Sequence, residues 1–470
     1  MSTLDSARQP RTNCAPMNPM RILSGLAFAA VAGAASFVAG LPEPIIATIA
    51  ITALTAFWWV SEALPIPATS LVPFALFPLA GVLDQREAAA ALGSYVIILL
   101  MASFMLSKAL ERSGAHERLA LYMIKLVGGS GRRLVIGFMV AAAVLSMWIS
   151  NTATTLMLAT MALAILTRTD DPKLGPALLL GIAYAASFGG TATLIGTPPN
   201  LIFADNYLRA TGEEFSFLHW MSIGLPIVVI GVPVMALWLT RSLGGVRTPE
   251  LSDPGPWRTD EKRTLIVFAV AILLWVTRIE PFGGWSGALG MENAGDSTVA
   301  VFAVILMFLV PNGKGSALLD WKSAGDIPWG MLLLFAGGIC IASAFRASGL
   351  DVLIGDQLAG LTRAPLFLTM LGLCLSVTFL TEVTSNTATA NLLMPILAAV
   401  AAGAGLKPEL LMIPAVISCS CAFMLPVATA PNAIIYGTQR ISIARMAREG
   451  STLNVIIAFL VSGMCWMMLR

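Results

Sequence analysis

Residues 150–156 read Ser-Asn-Thr-Ala-Thr-Thr-Leu, and residues 385–391 repeat the pattern as Ser-Asn-Thr-Ala-Thr-Ala-Asn. Each stretch lies inside a long apolar segment, where polar groups without partners are costly. Each is followed further along the chain by a small motif ending in Pro-Asn, Gly-Thr-Pro-Pro-Asn at 196–200 and Ala-Thr-Ala-Pro-Asn at 428–432. Two copies of a polar, helix-breaking sequence in the two halves of the chain predict one shared site.

The composition is typical of a polytopic membrane protein. The 470 residues are 57% apolar and 11% charged, whereas soluble domains carry about 25% charged residues. The mean hydropathy is +0.83. A net charge of +2 gives no indication of nucleic-acid binding. The six cysteines lie mostly in apolar segments, without the spacing of a disulfide framework or of metal ligands.

Long apolar segments predict an all-α polytopic membrane protein with 11 transmembrane helices. The segments are 22–41, 44–64, 66–83, 91–110, 174–206, 223–240, 263–277, 298–311, 329–346, 410–437 and 453–469. Two further segments, 133–167 and 366–403, carry the Ser-Asn-Thr sequence near their middle. We interpret each as a re-entrant helical hairpin with this sequence at its tip.

The distribution of basic residues agrees with this topology. If the N-terminus is cytoplasmic and each hairpin returns to its starting side, 21 of the 28 Lys and Arg residues fall on the cytoplasmic side. This bias follows the positive-inside rule, and it places the C-terminus outside. After the first helix, each half then has the same order of elements, and the second half is inserted upside down. Such inverted repeats with interrupted helices are common among secondary transporters.

The repeated motifs have the chemistry of a cation site combined with an anion site. A broken helix exposes carbonyl groups at the end of its first piece and amide groups at the start of its second piece. The carbonyl groups attract cations, and the amide groups attract anions. Ser, Thr and Asn add hard oxygen ligands without carboxylates, which suits a monovalent cation such as sodium better than zinc or copper. None of the four motifs contains Lys, Arg or His. Bound cations would therefore have to neutralise a bound anion.

Each motif also has a simpler interpretation. A single Ser-Asn-Thr in an apolar segment is usually a helix cap or an interhelical hydrogen bond, and only the repetition favours a site. For Glu382 and for Glu62 we expect a structural role rather than ion binding. Proton coupling is disfavoured because both histidines, His116 and His219, lie in predicted loops.

With these motifs identified, the chain resembles the divalent anion:sodium symporter family, the INDY-like dicarboxylate transporters. The resemblance covers nearly the whole length beyond the N-terminal tail. Its further signatures are Trp-Trp-Val-Ser-Glu-Ala-Leu-Pro at 58–65, Ser-Met-Trp-Ile at 146–149, Ile-Pro-Trp-Gly at 327–330 and Thr-Glu-Val-Thr at 381–384. The resemblance implies a homodimer in which a transport part moves elevator-fashion against a scaffold part.

The resemblance also implies a division of the chain and a set of ligands. The expected parts are a cytoplasmic tail (1–21), a first scaffold part (22–132), a first transport part (133–242), a second scaffold part (243–365) and a second transport part (366–470). The first sodium ion would be bound by Ser146, Ser150, Asn151 and Gly196, and the second by Thr381, Thr384, Asn386 and Ala428. The substrate carboxylates would contact Asn151, Thr152, Thr197, Pro198, Ser385, Asn386, Thr387 and Thr429.

We therefore predict a plasma-membrane transporter, not an enzyme, that imports C4-dicarboxylates such as succinate, malate or fumarate with sodium ions. The alternatives are a sodium-independent dicarboxylate exchanger and a sodium-coupled citrate or sulfate transporter. An intramembrane enzyme is disfavoured, because the apolar segments contain no constellation of catalytic side chains. A channel is disfavoured, because it would not need two inverted ion-binding hairpins. The chain departs from the family pattern at Ala430 and Thr160, where prolines are usual. The change at Ala430 could affect the substrate preference.

Overall fold

The computed structural model describes residues 19–128, 131–168, 171–243, 255–280, 283–358 and 364–470. Within these ranges the chain is helical, and its β-type pairing is one isolated bridge between Pro311 and Ala317. Most of the expected N-terminal tail lies outside the described residues.

The described residues of the first half form twelve α-helices. They are α1 (Pro19–Val38), α2 (Glu43–Ser61), α3 (Ile66–Thr69), α4 (Val72–Leu79), α5 (Gln85–Leu92), α6 (Tyr95–Ser113), α7 (Ala115–Val127), α8 (Gly131–Ser146), α9 (Asn151–Leu166), α10 (Leu174–Gly189), α11 (Pro198–Thr211) and α12 (Phe217–Thr240). A short 3₁₀ turn, Gly190–Ala192, follows α10.

The second half repeats the order of α2–α12. Its helices are α13 (Thr259–Val276), α14 (Gly284–Ala288), α15 (Asp296–Leu309), α16 (Trp321–Gly325), α17 (Trp329–Ser348), α18 (Leu350–Leu358), α19 (Leu366–Leu380), α20 (Asn386–Gly403), α21 (Glu409–Cys419), α22 (Ala430–Gly437) and α23 (Ile443–Leu469). Each apolar segment expected from the sequence corresponds to one of these helices or to an interrupted pair.

Eight helical stretches of the described chain are long and apolar enough to cross a membrane. They are α1, α2, α5 with α6, α10 with its 3₁₀ turn, α12, α17, α20 and α23. Five further apolar stretches of the described chain are shorter, with 10–17 residues each. The count of 11 crossings therefore stays a prediction, while the all-helical membrane architecture is confirmed.

Breaks in the helices fall where the repeated motifs predict them. α8 and α9 meet at Ser150, and α19 and α20 meet at Ser385. α10 is separated from α11 before Pro198, and α21 from α22 before Ala430. Pro in the first turn of α11 and of α22 is favoured, since the amide of that position has no partner within the helix.

Helix α10 lies at the centre of the molecule. Each of its residues, Leu174–Gly189, is buried, and it packs against α8, α9, α12 and α22. α9 also packs against α22, and α11 packs against α20. The hairpin arm of each half therefore lies beside the broken helix of the other half.

Two glycines with positive φ connect long helices to the helices that lead into the hairpins. Gly114 (φ 73°) joins α6 to α7, and Gly349 (φ 77°) joins α17 to α18. Residues with side chains rarely adopt this left-handed conformation. The surroundings of the two glycines differ. A Cβ atom at Gly114 would lie 2.9 Å from Nη2 of Arg258, whereas none of the described atoms lies within 4 Å of one at Gly349.

Candidate substrate and cation site

The first hairpin tip is closed by a side-chain contact between its two arms. The Ser146 hydroxyl, at the end of α8, donates to Oδ1 of Asn151, the first residue of α9. Ser150 caps α9, because its Oγ accepts from the backbone amide of Ala153 at 3.2 Å. The carbonyl end of α8 and the amide end of α9 therefore lie close together, joined by a short loop.

The first broken helix is connected to this tip by Thr193. Its hydroxyl donates to the carbonyl of Met147 at 2.6 Å and accepts from the amide of Gly196 at 3.1 Å. Asn200 spans the break itself, since its Nδ2 donates to the carbonyls of Gly190 (3.1 Å) and Thr193 (2.7 Å). The break is thus a fixed structure and not an open loop.

Oxygen atoms of the tip and the break converge around Gly196. A Cβ atom at this residue would lie 2.5 Å from the carbonyl oxygen of Gly190 and 3.0 Å from that of Ser146. A Cβ atom at Gly190 would lie 2.9 Å from Oδ1 of Asn151. The structure therefore brings together three of the four residues expected to bind the first sodium ion, Ser146, Asn151 and Gly196.

The second tip repeats the first with a threonine in place of serine. Oγ1 of Thr381 lies 2.7 Å from Oδ1 of Asn386 and 3.0 Å from the carbonyl oxygen of Cys419. Thr384, also an expected ligand, has its hydroxyl 2.6 Å from that of Thr389. Sequence reasoning missed the Cys419 carbonyl, for which the sequence carries no signal because any residue has a carbonyl group.

Glu382 holds the second broken helix together. Its Oε1 accepts from the backbone amides of Phe423 (2.7 Å) and Met424 (2.8 Å), and its Oε2 accepts from that of Leu425 (3.0 Å). Nδ2 of Asn454, on α23, also donates to Oε1 at 2.8 Å. The side chain is buried, and Glu382 is 3% exposed. Four donors compensate this buried carboxylate, which favours the structural role expected from the sequence.

The second break is also spanned by an asparagine. Nδ2 of Asn432 donates to the carbonyls of Ala422 and Leu425, both at 3.0 Å. Thr429 caps α22, because its hydroxyl accepts from the amide of Asn432 at 3.2 Å. Ala428, the last expected sodium ligand, is buried directly before this cap.

Thr193 and Asn454 were not identified from the sequence, since neither belongs to a repeated motif.

All residues expected to contact the substrate lie at the starts of four helices. They are Asn151 and Thr152 in α9, the N-cap Thr197 and Pro198 of α11, the N-cap Ser385 with Asn386 and Thr387 of α20, and the N-cap Thr429 of α22. The amide end of a helix carries a partial positive charge and free N–H donors, so it attracts carboxylates. Thr152 is exposed and Asn151, Ser385 and Asn386 are half-buried, so a ligand can reach these positions.

Comparisons with known proteins identify the family of this chain. A family model described as "Citrate transporter" (CitMHS) matches residues 56–410. The sodium-dependent dicarboxylate transporter SdcS of Staphylococcus saprophyticus is 39% identical over 433 residues, which are 87% of this chain and 83% of that protein. SdcS of Staphylococcus aureus is 38% identical over 446 residues, which are 90% of this chain and 85% of that protein.

Two solved structures share the fold at low sequence identity. The YdaH transporter of Alcanivorax borkumensis superposes with a TM-score of 0.62 at 14% identity, over 91% of this chain and 98% of that one. MtrF of Neisseria gonorrhoeae gives a TM-score of 0.57 at 14% identity, over 91% and 95%. The family match extends over more than half of the chain, and the two similar relatives extend over most of it. The resemblance found in the sequence is confirmed, and the chain belongs to the citrate transporter family, of the divalent anion:sodium symporter type.

Proposed function

We propose that this protein is a secondary active transporter that carries a C4-dicarboxylate into the cell together with sodium ions. The observation that carries the proposal is the placement of the expected substrate residues at four helix starts, beside two clusters of uncharged oxygen ligands. The similarity to the SdcS proteins, which are named sodium-dependent dicarboxylate transporters, supports the same activity.

The coupling follows from the charges at the site. A dianion meets only helix dipoles and hydroxyl or amide groups there, since the repeated motifs contain no Lys, Arg or His. Sodium ions bound at the two tips would supply the missing positive charge. Asn151 and Asn386 belong to both sets of residues, so cation binding orders the groups that complete the anion site.

The movement that carries the site across the membrane is proposed from the division of the chain. Residues 133–242 and 366–470 form the transport part, and residues 22–132 and 243–365 form the scaffold part of a homodimer. The N-terminus lies in the cytoplasm and the C-terminus outside the plasma membrane. The bias of basic residues supports this orientation.

Radiolabelled succinate uptake into proteoliposomes tests the function. With an inward sodium gradient we expect uptake, and with sodium replaced by choline or potassium we expect none. Equal uptake in both buffers would overturn the proposal. Preloading the vesicles with unlabelled succinate in the absence of sodium separates symport from exchange, because only an exchanger takes up label under these conditions.

Citrate is a second candidate substrate, because the matching family model is described as a citrate transporter. Competition against labelled succinate distinguishes the two anions. We expect unlabelled succinate, malate and fumarate to compete at lower concentrations than citrate. The reverse order would identify a citrate transporter.

A further inference from the structure

A cavity of about 160 Å³ lies away from the hairpin tips, between α11, α17, α18 and α20. It has room for several water-sized groups, since one water needs at least about 10–15 Å³ of such volume. Two arginines line it, Arg209 in the last turn of α11 and Arg346 in the last turn of α17. The opposite lining is mostly small and apolar, with Ala398 and Ala402 of α20.

Both guanidinium groups have N–H donors that no described atom of the protein accepts. Nε of Arg209 pairs with Oδ2 of Asp205, and its Nη1 donates to the hydroxyl of Ser343 at 2.9 Å. Nη1 of Arg346 donates to the backbone carbonyl of Arg209 at 2.8 Å. Within the described ranges, Nη2 of Arg209 and both Nε and Nη2 of Arg346 have no protein partner, and Arg346 has no carboxylate partner within 4.0 Å.

Asp351, on α18, provides the opposing charge of the lining. Its Oδ1 accepts from the amide of Val352 at 2.9 Å. Because Asp205 already neutralises Arg209, the unpaired charges at the cavity are one guanidinium and one carboxylate. The free donors of both arginines suit a carboxylate, while the alanines suit the carbon atoms behind it.

We propose that this cavity is a second anion site, which binds small carboxylates and, when occupied, holds α11 against α17. α17 and α18 belong to the expected scaffold part, and α11 and α20 to the expected transport part. A carboxylate bound by both arginines therefore joins the two parts. Ser94, at the start of α6, already contacts Asp205 across the same boundary, with its hydroxyl 3.1 Å from Oδ1. Occupation slows transport, so high external dicarboxylate inhibits its own uptake; this consequence rests on the function proposed above.

Binding to the purified full-length protein tests the site independently of transport. Labelled succinate is measured by equilibrium dialysis on the Asn386→Ala variant in sodium-free buffer, where the tip site is disabled. We expect residual binding, weakened about tenfold by the further change Arg346→Gln, since a charge-assisted contact is lost. Asp351→Asn removes a repelling charge and should strengthen binding. The change Lys407→Gln, which removes another exposed positive charge, should leave binding unaltered.

Absence of residual binding in Asn386→Ala, or equal binding with and without Arg346→Gln, would overturn the second site. Uptake supplies the functional readout. In wild-type proteoliposomes we expect the initial rate to rise and then fall as external succinate increases, and in Arg346→Gln to rise to a plateau. A plateau in the wild-type protein refutes the inhibitory role. If no variant transports succinate at all, the proposed function fails, while the dialysis result still decides whether the site exists.

Discussion

Asn200 and Asn432 make the same two hydrogen bonds in opposite halves of the chain. In each case Nδ2 donates to the carbonyls ten and seven residues earlier, those of Gly190 and Thr193 in the first half and of Ala422 and Leu425 in the second. Each asparagine follows a proline in the first turn of a helix. The repeat is therefore preserved in how each broken helix is closed, as well as in the sequence of the tips.

Replacing either asparagine by aspartate should open the corresponding break. An ionised carboxylate cannot donate, and each buried carbonyl left without a donor costs about 1–3 kcal/mol. We expect Asn200→Asp and Asn432→Asp each to lower the thermal unfolding temperature and to abolish sodium-driven uptake. Asn312→Asp, in an exposed turn, is the matched control. Normal uptake by both site variants would show that the breaks do not depend on these contacts.

The tip asparagines should be required for transport but not for folding. Asn151→Ala and Asn386→Ala each remove a side chain proposed to contact both cation and anion. We expect a membrane-inserted protein with an unchanged elution volume and no succinate uptake above empty vesicles. Thr160→Ala, in the arm of the first hairpin, should retain uptake. Wild-type rates in either asparagine variant would refute the proposed site.

Gly196 should tolerate no side chain. A Cβ atom there would lie 2.5 Å from a backbone oxygen, closer than a carbon atom can approach without displacing the chain. Gly196→Ala should therefore lower the unfolding temperature and eliminate uptake, measured by scanning fluorimetry and in proteoliposomes. Gly372→Ala is the control, since none of the described atoms lies within 4 Å of the new methyl group. Equal behaviour of the two variants would contradict the close approach at the break.

Glu382→Gln should weaken sodium binding. The amide that replaces the carboxylate keeps one acceptor, so part of the set of backbone N–H groups at 423–425 loses its partner. Hydrogen bonds to charged groups contribute about 1.5–3 kcal/mol each. We expect lower thermal stability and a severalfold increase in the half-maximal sodium concentration for uptake. Glu409→Gln, whose parent carboxylate accepts from Tyr207, is the control. A lower stability with an unchanged sodium dependence would limit Glu382 to folding.

The positions of helices and breaks were predictable, because apolar length and proline or Ser-Asn-Thr sequences act locally. The contacts that hold the broken helices together were not predictable from the sequence. Glu382 reaches amides 41–43 residues away and Asn454 reaches Glu382 over 72 residues, and no local pattern records such distances. The sequence also treats 66–83 as one apolar segment, whereas Ser70 and Leu71 separate α3 from α4. A proline near the start of each short helix accounts for this interruption.

The second anion cavity could not be anticipated either. Arg209 and Arg346 are 137 residues apart, and the sequence indicates only that both lie on the expected outer side. Their common cavity depends on how α11 packs against α17. Pairings between the two halves are therefore the part of this protein that only three-dimensional packing reveals.

The unequal surroundings of the two connecting glycines imply an order of events. Arg258, at the start of α13, donates to the backbone carbonyl of Ser113, beside Gly114, and so supports the first connection. Gly349 has no such support among the described atoms. Rotation at Gly349 therefore meets less resistance, and we expect the second hairpin to begin its displacement before the first. The proposed elevator movement would then begin in the second half of the chain, although the two halves share one architecture.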